Sequence, residues 1–229
     1  MAAVPLEPNR VPGSSEERLR ALAANRVVIE AVAPEIDCGR FPAKRVVGNL
    51  FAVEADIYGD GHDVVTAALT YRAAGQEGWR EAPMAFVDND RWRGSFTLEE
   101  NGRYLYSILA WRDLFATWRA DTAKKHAAGQ PISLELLEAC LLVQQALEHQ
   151  GEGGADRGAL QQLLSHLGKD RPEGDRLALL MEREVAELMR RAAPRTNLSR
   201  YPRELEVLAD REAAAFSAWY ELMPRSMSD

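Results

Sequence analysis

The stretch "RWRGSFTLEENGRYLYSILAWRD" runs from Arg91 to Asp113, and its period decides the fold. Successive side chains of a strand point to opposite faces, so Tyr104, Tyr106 and Ile108 share one face while Leu105, Leu109 and Trp111 share the other. Both faces are apolar, and at least one must be core. Asn101-Gly102 reads as a hairpin turn between a strand around Phe96 and one around Tyr106.

The same period of two extends upstream. "RVVIEAVAPEID", "NLFAVEADIYGDG", "DVVTAALTYRAA" and "WREAPMAFVDND" are β-rich runs bounded by Gly, Pro, Asp or Asn, with Asp60-Gly61 and Asp88-Asn89 as further turn signals. Several short strands at this spacing predict an immunoglobulin-like or fibronectin-like β-sandwich over residues 26–118. Ahead of it, residues 1–25 form a polar lead, in which Ser14 and Glu17 match a capping box and Leu19, Leu22 and Ala23 give a thin apolar stripe.

Downstream the period becomes helical, from about Arg119 through residue 203. Ser133 reads as an N-cap, with Ile132 and Leu137 placed for a hydrophobic staple, and "LELLEACLLVQQALEHQ" carries an apolar face to Gly151. Asp156 is placed to cap a second helix, whose Leu160, Leu163, Leu164 and Leu167 follow the i, i+3, i+4, i+7 spacing up to Gly168. A third run, from Leu177 to Met189, lasts until Pro194. Together they predict a small helical bundle. "RELEVLADRE" then alternates again around Leu205 and Val207, so residues 204–215 return the chain to the sandwich and make the bundle an insertion. The expected fold class is α+β. The final "FSAWYELMPRSMSD", residues 216–229, has Phe216, Ala218, Tyr220 and Leu222 in the pattern of an opening β-strand, with no later strand to pair it.

Composition narrows the function classes. The 229 residues are 46% hydrophobic and 28% charged, ordinary for a globular protein, and the net charge is −7. That charge argues against a nucleic-acid partner, since the densest basic clusters are the pairs Arg190-Arg191 and Lys124-Lys125. No apolar run reaches the ~20 residues of a membrane span, and no leader pattern opens the chain, so the expectation is a cytoplasmic protein without a membrane partner. Cys38 and Cys140 stand alone and read as packing residues. The four histidines, His62, His126, His149 and His166, are scattered, so neither a metal site nor a cofactor is expected.

Several strings, in order, resemble one family: "RVVIEAVAPEIDCGRFPAKRVVG", "VEADIYGDGHD", "RWRGSFTLEENGRYLYSILAWRD", "FATWR" and "FSAWYELMPRS". They are similar to the N-terminal region of the bacterial maltosyltransferases that build α-1,4-glucan from maltose 1-phosphate. The resemblance implies a β-sandwich interrupted by a helical insert and followed, in the family, by an α-amylase-type (β/α)8 barrel and a C-terminal β-domain. It implies that "FSAWYELMPRS" starts the first barrel strand, so the chain would stop as the catalytic barrel begins. Homodimer contacts and packing on that barrel are also implied for the sandwich and its insert. α-Glucan and maltose 1-phosphate would be met only through the full-length enzyme.

Retaining glycosyl transfer needs a carboxylate nucleophile and a carboxylic acid about 5 Å apart. Glu99, Glu100, Glu152, Glu173, Glu182 and Glu184 fall in turns or on solvent faces, and the resemblance assigns catalysis to the barrel. No catalytic, substrate-binding or metal residue is therefore expected, and no enzymatic activity from this chain alone. Local signals have rival readings. Trp79, Trp92, Trp111 and Trp118, with Tyr104 and Tyr106, could stack on sugar rings as an α-glucan-binding module or simply pack a core. "GDGH" around His62 reads as a hairpin turn, and "TWRAD" at Thr117–Asp121 as a link between sandwich and bundle. An interaction protein unrelated to glucan is the remaining class.

Overall fold

Period-two runs become strands, and where their buried side chains meet defines the layers. The computed structural model describes residues 26–216 together with Ser15. A small sheet has the order β1–β3–β7–β6, from β1 (Val27–Ala33), β3 (Leu50–Gly59), β7 (Arg91–Thr97) and β6 (Ala85–Asp88), all antiparallel. A larger sheet has the order β2–β10–β8–β4–β5, from β2 (Ala43–Val46), β10 (Leu205–Asp210), β8 (Gly102–Arg112), β4 (Val65–Ala73) and β5 (Arg80–Pro83). β9 (Thr196–Arg200) also pairs with β8, while β10 runs parallel to β2 and antiparallel to β8.

Phe51, Val53, Ala55 and Ile57 of β3 and Tyr104, Tyr106, Ile108 and Ala110 of β8 are buried in one shared core. The two sheets thus face each other in a sandwich-like arrangement. An aromatic edge joins the layers, Phe51 meeting Tyr106 at 5.1 Å between ring centroids, while Phe51 also packs on its strand neighbour Phe96 at 5.5 Å. The sheets come very close at Gly94, where a Cβ would lie 2.8 Å from Met84 Cγ and 3.2 Å from Leu69 Cβ.

The turn signals divide into two kinds. Asp88-Asn89 joins β6 to its neighbour β7, with Asn89 at φ 40° and Asp90 at φ 66°, as a two-residue hairpin loop requires. Asn101-Gly102 does not close a hairpin, because β7 lies in the small sheet and β8 in the large one. The link is an arch across the core. Leu98 is fully buried beneath it and exchanges backbone bonds with the β2–β3 turn, accepting from Gly48 N at 2.8 Å and donating to Asn49 O at 3.1 Å. Gly102 takes the bend at φ 141°, and the Tyr104 hydroxyl binds both backbone groups of Glu100. Such a corner recurs in Greek-key sandwiches. Asp60-Gly61 is likewise a crossing, since β3 and β4 belong to different sheets; the "GDGH" hairpin reading is replaced by an arch whose Asp63 pairs with Arg112.

Five helices lie between β8 and β9 among the described residues: α1 (Leu114–Ala127), α2 (Ser133–Gln150), α3 (Arg157–His166), α4 (Glu173–Leu180) and α5 (Arg183–Ala192). They bury a core of their own, including Trp118, Leu136, Val143, Leu160, Leu180 and Met189. Helix begins at Leu114, ahead of Arg119, because the Asp113 carboxylate caps it by accepting from Ala116 N at 2.8 Å. Ser133 is the first helical residue rather than a side-chain cap, and Leu136, fully buried, takes the inward place expected of Leu137. Asp156 stands at the start of α3 without a capping bond; its carboxylate pairs instead with Arg191 of α5 at 3.1 Å. The run from Leu177 to Met189 is two helices. Glu182 is extended at the break, and the Met181 carbonyl is taken by Arg119 at 2.5 Å. After Pro194 the backbone turns to strand, so β9 replaces the last of the expected helical stretch.

The readings of Ser14, Glu17 and the leucines near the N-terminus, and of the strand from Phe216 onward, fall outside the described residues. Phe216 itself follows a 3-10 turn (Glu212–Ala215) and is 84% exposed.

Candidate functional site at the junction of sheet and helices

The outer face of the large sheet is where the helices attach. Ala68, Leu109 and Trp111 form a small buried cluster there, with the Arg195 guanidinium 4.2 Å from the Trp111 ring centroid. Arg195 also holds Glu81 of β5 through two bonds of 2.9 and 2.6 Å, fixing the segment that leads from α5 into β9. Asp113 links sheet to helix: besides capping α1, it accepts from the Thr66 hydroxyl at 3.2 Å. Thr117 of α1 accepts from Val64 N at 2.9 Å, and Trp118 donates to Glu135 O of α2 at 2.8 Å. A cleft of about 380 Å³ remains between α1 and α5, lined by Thr66, Asp113, Phe115, Arg119, Glu187 and Arg190.

The aromatic residues are divided among three environments. Tyr104 and Tyr106 point into the core between the sheets, and Trp118 lies in the helical core. Trp111 and the half-buried Trp79 belong to the sheet's outer side, the latter with Arg72 at 4.9 Å and Arg200 at 5.6 Å over its ring. Trp92 packs partly against the main core and donates to Ile57 O at 3.0 Å. The six rings do not share one open face.

Glu99, Glu100, Glu152, Glu173, Glu182 and Glu184 are all exposed. Glu99 is bound by Arg80 at 3.0 Å, and Glu173 lies 4.0 Å from Arg176. Carboxylates brought together elsewhere are held by cations. Glu54 and Asp56 both accept from Arg91, at 3.2 and 2.9 Å, and the guanidinium is held further into its charged range, mainly by the Asp56 hydrogen bond. Glu35, with a side chain only 13% exposed, accepts from Arg203 at 2.7 Å and from the Tyr201 hydroxyl. Burial raises the Tyr201 pKa, and the Glu35 hydrogen bond raises it further. Cys38 is exposed and Cys140 half-buried, both free, and no group of metal-ligating side chains gathers among the described residues. No helix among them is long and apolar enough to cross a membrane. "TWRAD" supplies Trp118 and Arg119, both bonded across helices. Glu187 carried no local signal and Arg190 read only as part of a basic pair, because their place depends on a cleft formed with residues distant in sequence.

A family profile described as alpha-1,4-glucan:maltose-1-phosphate maltosyltransferase, domain N/S, matches residues 25–211. The chain belongs to this maltosyltransferase family. A maltosyltransferase of that name from Cereibacter sphaeroides is 50% identical over 214 residues, covering 93% of the chain and 31% of the relative. One from Myxococcus xanthus is 43% identical, covering 87% of the chain and 31% of the relative. One from Pseudomonas aeruginosa is 35% identical over 91% of the chain and 31% of the relative. The chain thus spans about a third of the length of each of these three maltosyltransferases.

Proposed function

We propose that this chain is the non-catalytic N-terminal portion of a maltosyltransferase that extends α-1,4-glucan from maltose 1-phosphate, serving as scaffold and dimerisation element. On this reading, the strands up to Arg112 and those from Thr196 to Asp210 make an immunoglobulin-like sandwich, and the helices from Leu114 to Ala192 are a bundle inserted into it. Residues 216–229 lead into an α-amylase-type barrel that carries the chemistry, and the whole enzyme works in the cytoplasm. The observation that carries the reading is the family match, confined to the part described as domain N/S of relatives about three times as long.

Surface chemistry supports the scaffold role. Leu134, Leu137 and Leu141 follow one another along α2 at 76%, 44% and 59% exposure, and edge strand β6 exposes Phe86 and Val87. Apolar surface of this kind is normally covered by a partner. The alternative is a stand-alone α-glucan-binding module, favoured by the half-buried Trp79. Sedimentation velocity and affinity electrophoresis through a glycogen gel separate the two. The scaffold reading expects concentration-dependent self-association and no retardation by glycogen. A monomer strongly retarded by glycogen, and released by Trp79→Ala, would establish the binding module instead.

A further inference from the structure

The cleft between α1 and α5 has a use that the scaffold role leaves open. Its carboxylates are already engaged: Asp113 caps α1 and binds Thr66, and Glu187 pairs with Arg183 at 3.3 Å. Its guanidiniums are at most partly so. Arg190 is half-buried on the cleft wall with no hydrogen-bond or ion-pair partner among the described residues, and Arg119 commits one nitrogen to Met181 O. A partly desolvated guanidinium keeps its charge and its fork of N–H donors, and so gains from an oxyanion acceptor.

We infer that this cleft binds a phosphate group, held between Arg190 of α5 and Arg119 of α1 with the Thr66 side of the cleft as floor. Two arginines lining the cleft from separate helices offer more donors than a carboxylate's two oxygens accept in one plane, whereas a tetrahedral phosphate presents oxygens in several directions. The roughly 380 Å³ of space exceeds a bare phosphate and falls within the range of small-molecule sites, so a phosphate ester with an attached ring fits as well as the free ion. Glu187 and Asp113, whose bonds to the Thr66 hydroxyl and Ala116 N leave its charge in place, both oppose the anion and limit affinity. The inference rests on the cleft and not on the proposed scaffold role.

Titration of the whole chain with inorganic phosphate and, separately, with glucose 1-phosphate, followed by amide NMR, tests this. Saturable shifts at Ala116, Ala186 and Glu187 are expected, with a dissociation constant on the order of 1 mM. Arg190→Gln should weaken binding roughly tenfold or more, Arg190→Lys should retain part of it, and Glu187→Gln should tighten it. Tighter binding of the ester identifies an ester as occupant, and equal binding identifies the free anion. No saturable shift with either, equal shifts with neutral maltose, tighter binding of acetate than of phosphate, or an Arg190→Gln variant that still folds and binds as before would overturn the inference.

Discussion

The Tyr104 hydroxyl spans the bend between β7 and β8, accepting from Glu100 N at 2.9 Å and donating to Glu100 O at 3.3 Å. One side chain thus fixes the crossing from the small sheet to the large one. Tyr104→Phe keeps the buried ring and removes both bonds. The expected loss is about 1–2 kcal/mol of stability, since the freed Glu100 groups lie where water can reach them. Urea unfolding measures it, and an unchanged midpoint would remove the corner from the account.

Gly94 tests how closely the sheets approach. An added methyl would meet Met84 Cγ at 2.8 Å and Leu69 Cβ at 3.2 Å. Met84 can swing away, but the Leu69 Cβ is carried by the backbone of β4. Gly94→Ala is therefore expected to destabilise by about 1–3 kcal/mol, with partial rescue by Met84→Ala. Thermal unfolding of the single and double variants reads both effects.

Asp113 joins the two cores. Asp113→Ala removes the α1 cap and the Thr66 bond together, and the cap alone is worth about 1 kcal/mol. Faster hydrogen exchange should concentrate in the first turn of α1. Uniform acceleration across both sheets would instead assign Asp113 to the sandwich.

Lys125 of α1 binds Glu135 of α2, and this hydrogen bond holds the Glu135 carboxyl below the usual carboxylate range, while Lys125 is held above its own. A carboxylate with a depressed folded pKa stabilises the fold above its unfolded pKa, and that contribution disappears as pH falls through the folded value. The α1–α2 contact should thus loosen only at pH below the ordinary carboxylate range. Carboxyl NMR titration checks this: Lys125→Met should return Glu135 toward its ordinary value, and an unmoved titration would show that the pair has no influence.

The strands were legible in sequence because period two is a local property: the alternation around Tyr104–Trp111 and around Leu205–Val207 appears directly as β8 and β10. Partner choice is not local. Asn101-Gly102 has the same chemistry in a hairpin as in an arch, and only the burial of Leu98 and the Tyr104 corner select the arch. The start of α1 was hidden because "LFAT" continues an apolar strand pattern, while the deciding group is the capping carboxylate just before it. β9 followed a helical run and exists through its pairing with β8. The cleft was invisible for the same reason, since Thr66, Arg119 and Arg190 meet only after the helices dock on the sheet.

The proposed scaffold role implies that maltosyl transfer does not occur on this chain alone. Incubating it with maltose 1-phosphate and a short maltooligosaccharide, with released phosphate as the readout, tests that claim most directly. No release above background is expected, because among the described residues the clustered carboxylates Glu54, Asp56 and Glu35 are engaged by Arg91 and Arg203 rather than held free as nucleophile and acid. Turnover that survives repurification and follows the chain through every step would contradict the account.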